Sequence, residues 1–455
     1  AHRRGRPRCV WSGSLPLPVS PSSARTGRGR AGMEEQLLEM RRVAASRYQQ
    51  LASSEAATAP PPAAPPAVVP AGPTGPVELV VLSYNIWFEF ERTFGARMRV
   101  IGALCDEGAG AQRPSAVALQ ELTAEERALL LPRLRQAGYT LTEQTDTTSG
   151  YWCALATRAP LGPLRDGRWR PFSCGSMMGR GLVLGSAIFA PSGKKASSSA
   201  GGHGAGGGVH FGALSGLAAA RAEAEGTRGA SPAVTQGTRV LLACTHLESF
   251  VGEDMRAQVG KLRRAQLAEA TRFLAAEAVR VGASAAILLG DLNWDDKADG
   301  DARDALAPGW YDAWELAGRP PQAEFTYDGR ANKMLTHSFR NRFDRILVWT
   351  PAAAAAAAGA RGGRGDAGLS CAVQLLGKEP ISGQTLVKPF KNGGGSRTLP
   401  LVPSDHFGLL ATVRWAAQIS TAVHAAAGSA AGGAVDEAAG ARRERLPASA
   451  EGSGG

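Results

Sequence analysis

AAILLGDLN (285–293) decides the fold. Its opening residues are apolar and number too few for a helix, so they predict one buried strand that stops at Gly290, Asp291 and Asn293. The same design repeats on both sides. Upstream stand ELVVLSYNIWF (78–88), SAVALQEL (115–122), YWCALATR (151–158), GLVLGSAIFA (181–190) and RVLLACTHLES (239–249); downstream stand RFDRILVW (342–349) and HFGLLATVRW (406–415). MRAQVGKLRRAQLAEATRFLAAEAVRV (255–281) spaces its apolar residues at three and four and predicts an amphipathic helix. Strands and helix together give an α/β domain.

The chain has 455 residues, 57 of them Gly and 28 Pro, and much of this excess sits in tracts that cannot pack. A basic, then Ala/Pro-rich tail covers 1–77, with a short helix expected at 33–52, and a second tail covers 416–455. Both tails are expected to be disordered. Insertions at 192–237 and 351–366 hold too few branched apolar residues to offset the entropy of ordering them and read as surface segments. That leaves one domain at 78–415. The net charge of +11 is largely a tail effect, because residues 1–32 carry seven Arg and no acid. It is therefore no signature of a nucleic-acid surface, although organellar targeting by this Arg-rich segment stays open. Six dispersed cysteines without a CxxC pair argue against a disulfide framework or zinc knuckle. No run approaches the eighteen apolar residues that suggest a membrane span, and no secretory leader opens the sequence, so an intracellular place, nuclear or cytoplasmic, is expected.

Five strand ends carry small polar clusters: Ser83-Tyr84-Asn85, Gln120-Glu121, Thr245-His246-Leu247-Glu248-Ser249, Gly290-Asp291-Leu292-Asn293 and Ser404-Asp405-His406. Singly, each has a plain reading as a turn residue, a surface charge or a cap. Five of them in this order is a different matter, since rigid strands fix groups that loops expose.

These pieces resemble the endonuclease/exonuclease/phosphatase superfamily of metal-dependent phosphoesterases, through YNIW (84–87), LQEL (119–122), THLES (245–249), GDLNWDD (290–296), FDRIL (343–347) and SDHFGLL (404–410). Within it, THLES, MGR (178–180), WDDKADG (294–300), the run at 309–314 and FTYDGRANKML (325–335) are most similar to type-2 tyrosyl-DNA phosphodiesterases and their plant and algal relatives. The resemblance implies a four-layer α/β sandwich, two mixed sheets flanked by helices. It also implies hydrolysis of 5′-phosphotyrosyl DNA ends in DNA repair, with DNA ends, single-stranded or 5′-adducted, as partners and no membrane.

Phosphodiester hydrolysis asks for a hard cation, an activated water and compensation of phosphoryl charge. Mg²⁺, for which Mn²⁺ substitutes, takes one or two carboxylates. Glu121 is the candidate ligand, with Asn85 as ligand or orienting group. Asp291 orients or deprotonates the water, Asn293 donates to the phosphoryl oxygen, and protonated His406 stabilises the transition state. By family analogy Asp344 partners His406 and Asp405 lies nearer the metal, while His246 and Ser249 grip phosphate. Arg180 and Lys333 are candidates for phosphate contact, and Trp314 or Phe325 for stacking on a base. The departures are as instructive. Asp295 stands where the animal enzymes of this type place an Arg. Inositol 5-phosphatases share GDLN and DRIL but not the residues around Asn341, Arg342 and Phe343, so an inositol-phosphate phosphatase is the alternative. A secreted DNase-like enzyme would be expected to carry a leader and disulfides, and a non-catalytic binding protein would be expected to have lost a core residue.

Overall fold

The computed structural model describes residues 76–88, 94–110, 112–146, 150–190, 237–250, 255–359, 368–390 and 394–416. The helix expected at 33–52, nearly all of both tails and nearly all of the insertion at 192–237 lie outside them.

The strands expected from sequence form the centres of two six-stranded mixed sheets. The first holds β1 (Pro76–Asn85), β2 (Ala116–Leu122), β3 (Thr140–Glu143) and β4 (Trp152–Thr157), with β13 (Ser370–Leu376) and β16 (Gly408–Ala416), in the order β13-β16-β1-β2-β4-β3. The second holds β5 (Arg165–Pro171), β6 (Gly181–Phe189), β7 (Thr238–His246), β8 (Ala285–Asp291), β9 (Trp310–Asp312) and β12 (Asp344–Trp349), in the order β5-β6-β7-β8-β12-β9. Two small hairpins, β10 (Tyr327–Asp328) with β11 (Arg340–Asn341) and β14 (Thr385–Pro389) with β15 (Ser396–Pro400), lie outside the main sheets.

Strand alternation explains the layers. On β1, Leu79 and Val81 join a core shared with Ile287 and Leu289 of β8, whereas Leu82 and Tyr84 turn to the opposite face. That face packs on α1 (Phe94–Glu107) and α2 (Ala124–Gln136) through Met98, Ile101, Leu130 and Leu134. On β8, Ala286 and Leu288 meet Leu267, Ala270 and Leu274 of α3 (Arg256–Val281). The result is the expected four-layer α/β sandwich. Helix α3 ends where Gly282 takes a left-handed conformation, φ 65°, that closes the last turn. Among the described residues, no helix is long and apolar enough to cross a membrane.

Helices α1 and α2 were not expected, yet α2 carries a legible start. Thr123 accepts from the Glu126 amide while the Glu126 side chain accepts from the Thr123 amide, a capping box. A correction applies to 351–366. Its alanine run forms the helix α5 (Pro351–Gly359), which follows the short α4 (Ala313–Leu316) in the chain. Alanine has the highest helix propensity, Ala353 is buried, and Ala354 packs against the α3-side core, so this stretch is part of the domain and no loose insertion. Residues 360–367 lie outside the described residues.

The insertion at 192–237 is different, because Phe189 of β6 directly faces Thr238 of β7. Replacing 191–236 by a short turn should therefore preserve the fold. Because closure entropy grows slowly with loop length, the expected stability change is a gain of at most about 2 kcal/mol. Thermal melts check this, and an unfolded deletion variant would show that the segment carries structure the domain needs.

Candidate active site

Pairs β1/β2 and β7/β8 are parallel, while β16 and β12 run antiparallel to β1 and β8. Hence the polar clusters that end β1, β2, β7 and β8 share one rim with those that precede β12 and β16. Asn85 Nδ2 donates to Asp291 Oδ2 at 3.0 Å and joins the two sheets there. Arg97 of α1 is fully buried and holds the rim, donating to the carbonyls of Ile86, Trp87 and Pro403. Ser404 Oγ donates to the Asn85 carbonyl at 2.7 Å and accepts from the His406 amide at 3.2 Å.

Local backbone features aim the side chains. Register breaks on β2 between Leu119 and Leu122, and Glu121 takes φ 62°, a conformation that costs roughly 1–3 kcal/mol for a residue with a side chain. This bulge carries the Glu121 carboxylate into the cleft, 15% exposed, where the Phe88 amide donates to it at 3.3 Å. Asn293 also has positive φ, 48°. Gly290, however, is no turn residue. It lies in β8, where a Cβ would sit 2.1 Å from the Thr245 carbonyl oxygen, so the close approach of β7 demands glycine.

Two hydrogen-bonded groups flank Asp291. In the first, His406 Nδ1 meets Asp344 Oδ2 at 2.8 Å, with Asp344 fully buried. Burial alone lowers the His406 pKa, but Asp344, Asp291 and Asp405 outweigh it and raise the pKa well above the usual histidine value. His406 is thus a cation with Nδ1–H fixed on Asp344, and its Nε2 lies 4.0 Å from Asp291 Oδ2. In the second, Arg180 Nη1 donates to His246 Nδ1 at 2.9 Å. A guanidinium only donates, so Nδ1 is the bare nitrogen and Nε2 carries the proton. Burial, Arg180 and His406 hold the His246 pKa well below its usual value, so it stays neutral. His246 Nε2 lies 3.4 Å from both Ser249 Oγ and Asp291 Oδ2. Ser249 Oγ accepts from Arg180 Nη2 at 3.0 Å and from Asn293 Nδ2 at 3.1 Å, which leaves its own proton to donate.

Glu121, Asp405 and Asp291 gather negative charge in this cleft. Burial first, then Asp405, pushes Glu121 up to about 7, and burial with Asp344 pushes Asp291 up to about 6 against the opposing pull of His406. Oxygen donors with uncompensated charge fit a hard divalent cation, and Glu121 with Asn85 would hold it. Asp291, Asp344 and His406 also bring one donor atom each within 4.8 Å of one another. There, His406 Nδ1 is already engaged by Asp344, so that trio is better read as a hydrogen-bonded dyad beside Asp291.

Lys333, Arg180 and Trp314 depart from expectation. Lys333 is exposed and donates to the Arg330 carbonyl, with no contact to this rim. Arg180 is buried and acts on His246 and Ser249, so it positions them and presents no free guanidinium to phosphate. Trp314 and Phe325 have ring faces covered by Arg342 at 4.5 Å and Arg340 at 4.0 Å. Among the rings that reach the rim are Tyr327 and Phe343, 5.1 and 5.9 Å from His406, and Tyr151, 6.3 Å from His246. Tyr327 and Phe343 lie inside quoted stretches, FTYD and RFDRIL, but nothing in their spacing separates them from core aromatics. Lys388, whose charge acts on Asp405, was likewise invisible in sequence, because it lies in a separate hairpin. The base beside Asp295 is Arg256, at 3.5 Å; Lys297 gives Asp295 only its backbone amide.

The model of the Endonuclease/Exonuclease/phosphatase family matches residues 82–406. Among solved structures, the chain is similar to truncated Caenorhabditis elegans TDP2, with 19% identity, 74% of this chain and 97% of that chain covered, and a TM-score of 0.48. It is also similar to D. rerio TDP2 complexed with single strand DNA product (20% identity, 74% and 98% covered, TM-score 0.46). A third is a Bacteroides thetaiotaomicron mannosyl-6-phosphatase (15% identity, 74% and 99% covered, TM-score 0.39). A sequence search of curated proteins finds no match.

Proposed function

The chain belongs to the Endonuclease/Exonuclease/phosphatase family and is a metal-dependent hydrolase; from that premise we propose that it hydrolyses the phosphodiester of 5′-phosphotyrosyl DNA ends. The observation that carries this reading is the Arg180–His246–Ser249–Asn293 group, which supports a phosphate grip beside Asp291. Ser249 Oγ–H and His246 Nε2–H are the donors that hold the terminal phosphate. Protonated His406 donates to its oxygens as charge grows there, while Asn293, whose Nδ2 donates to the Leu247 carbonyl and to Ser249 Oγ, holds Ser249 in place and approaches phosphate only by giving up one of these bonds. Asp291 accepts a proton from the attacking water, whose oxygen bonds to phosphorus as the bond from phosphorus to the tyrosyl oxygen breaks. Glu121 and Asn85 would hold Mg²⁺, which when bound would neutralise phosphoryl charge. Tyr327 and Phe343 are buried against His406, with Tyr327 stacked on His337, so they wall the site and hold the His406 ring. The reading assigns the protein to DNA-end repair, nuclear or cytoplasmic.

The test compares 5′-tyrosyl, 3′-tyrosyl and abasic oligonucleotides with inositol phosphates, with Mg²⁺ and with chelator. The 5′-tyrosyl end should be cut preferentially, and only with the cation. A clear preference for inositol phosphate would replace this reading. Asp295 is paired with Arg256, so Asp295→Arg both adds a cation and frees Arg256, and should lower KM for the tyrosyl oligonucleotide by up to about tenfold, the worth of one charge-assisted hydrogen bond. An unchanged KM would show that the substrate phosphates pass elsewhere.

A further inference from the structure

The hairpin β14–β15 stands outside both main sheets. Leu386 of β14 enters a small core with Met334, Leu401 and Val402, on which Trp87 also packs. Residues two apart on a strand share a face, so Lys388 points to the same side as Leu386, where the pattern calls for an apolar residue. Its Nζ lies 5.4 Å from the centre of the Trp87 ring. The Trp87 amide donates to Asn85 Oδ1 at 3.0 Å, so this ring borders the residues suited to a metal ion.

The register makes the placement costlier. Lys388 faces Arg397 across the two-stranded ladder, and like charges directly opposite weaken a pair of strands. Arg397 lies over Phe390, 5.8 Å from the ring centre, whereas Lys388 reaches the rim. Two local rules broken at one position mark a place where function outweighs stability.

Among the described residues the Lys388 ammonium makes no hydrogen bond and no ion pair, so its three donors are open to a ligand. Its neighbours in charge are committed: Arg180 to His246 and Ser249, Arg342 and Arg345 to Asp312, and Arg340 to Asp328. Yet its charge is felt inside the cleft. Burial raises the Asp405 pKa, while His406, Arg97 and Lys388 pull it back. A fixed cation at this place acts on two guests in opposite senses, repelling a divalent ion at Glu121 and Asn85 and attracting a phosphate.

We propose that Lys388 is a substrate-binding residue: the hairpin delivers its ammonium to the rim to take a phosphate oxygen of a polyanionic phosphodiester, at some loss of affinity for the metal ion. This rests on the phosphodiesterase reading above and names a residue that sets its preference for polyanions.

Three measurements on the full chain test it. Mn²⁺ binding is followed by electron paramagnetic resonance without substrate, a 5′-phosphorylated oligonucleotide is titrated in chelator, and KM is measured on the 5′-tyrosyl oligonucleotide. Lys388→Met keeps the stem against Trp87 and removes the charge. It should tighten Mn²⁺ binding about threefold and weaken oligonucleotide binding about fivefold, with KM rising by a like factor and kcat alike. Lys388→Arg should keep both affinities near the wild-type values, and Lys388→Glu should enlarge both shifts. A lysine that only packs would, on replacement, weaken both guests or neither, and either result would overturn the proposal. Tighter Mn²⁺ with unchanged oligonucleotide binding would overturn it too, because the phosphate would then lie elsewhere. If the wild type leaves the tyrosyl end uncut, the phosphotyrosyl reading falls, while the two binding measurements still decide on Lys388.

Discussion

His406→Gln is expected to lower turnover on the order of a hundredfold or more, with little change in the thermal melt. The His406 cation faces charge that develops only in the transition state, and a neutral amide in its place gives a weaker donor. Glutamine is the informative choice. Asp344 is fully buried behind the histidine, and its Oδ1 has no partner even now. His406→Ala would leave that carboxylate without its cation, a loss of roughly 3 kcal/mol or more that would confound turnover with folding. Asp291→Asn should match the His406→Gln loss for a separate reason: it removes the group that accepts the water proton, while an amide oxygen still accepts from Asn85 or Asn293. Near-normal turnover in either variant, with a normal melt, would remove that residue from the chemistry.

The candidate catalytic residues come together because each stands at or beside the end of a strand, Asp291 closing β8, Asp344 opening β12 and His406 just before β16. Asp291 closes β8 with Asn293 two residues on, and Asp344 lies opposite Asp291 in the β8–β12 ladder, so GDLN and FDRIL meet by register alone. What was hidden depends on side-chain direction. Arg180 reads as a surface base in MGR, yet it points inward because His246 Nδ1 and Ser249 Oγ accept from it. The aromatic wall failed for a related reason. Trp314 and Phe325 are large and near the right motifs, but Arg342 and Arg340 cover their faces, and only packing reveals that Tyr327 and Phe343 are the rings set against His406. The alanine run misled by composition: residues with little to bury still form a helix when one face meets a core.

Glu121→Gln is expected to weaken Mn²⁺ binding, followed by electron paramagnetic resonance, by at least about tenfold. The substitution keeps a carbonyl oxygen at the same reach but removes the charge that the bulge and the left-handed backbone of Glu121 aim into the cleft. Its effect on stability should have opposite signs with and without the ion. In chelator, Glu121 is a half-buried carboxylate facing Asp405 and Asp291, so neutralising it relieves desolvation and repulsion and the melt should rise. With Mg²⁺ present, stabilisation grows as the logarithm of occupancy, about 2.7 kcal/mol at a hundredfold excess over Kd, and the variant should forfeit much of that gain. The gap between the two melting temperatures should therefore narrow from both sides. A residue that merely packs at the rim would shift both melts in the same direction. An unchanged gap, with unchanged Mn²⁺ affinity, would remove Glu121 from the metal site.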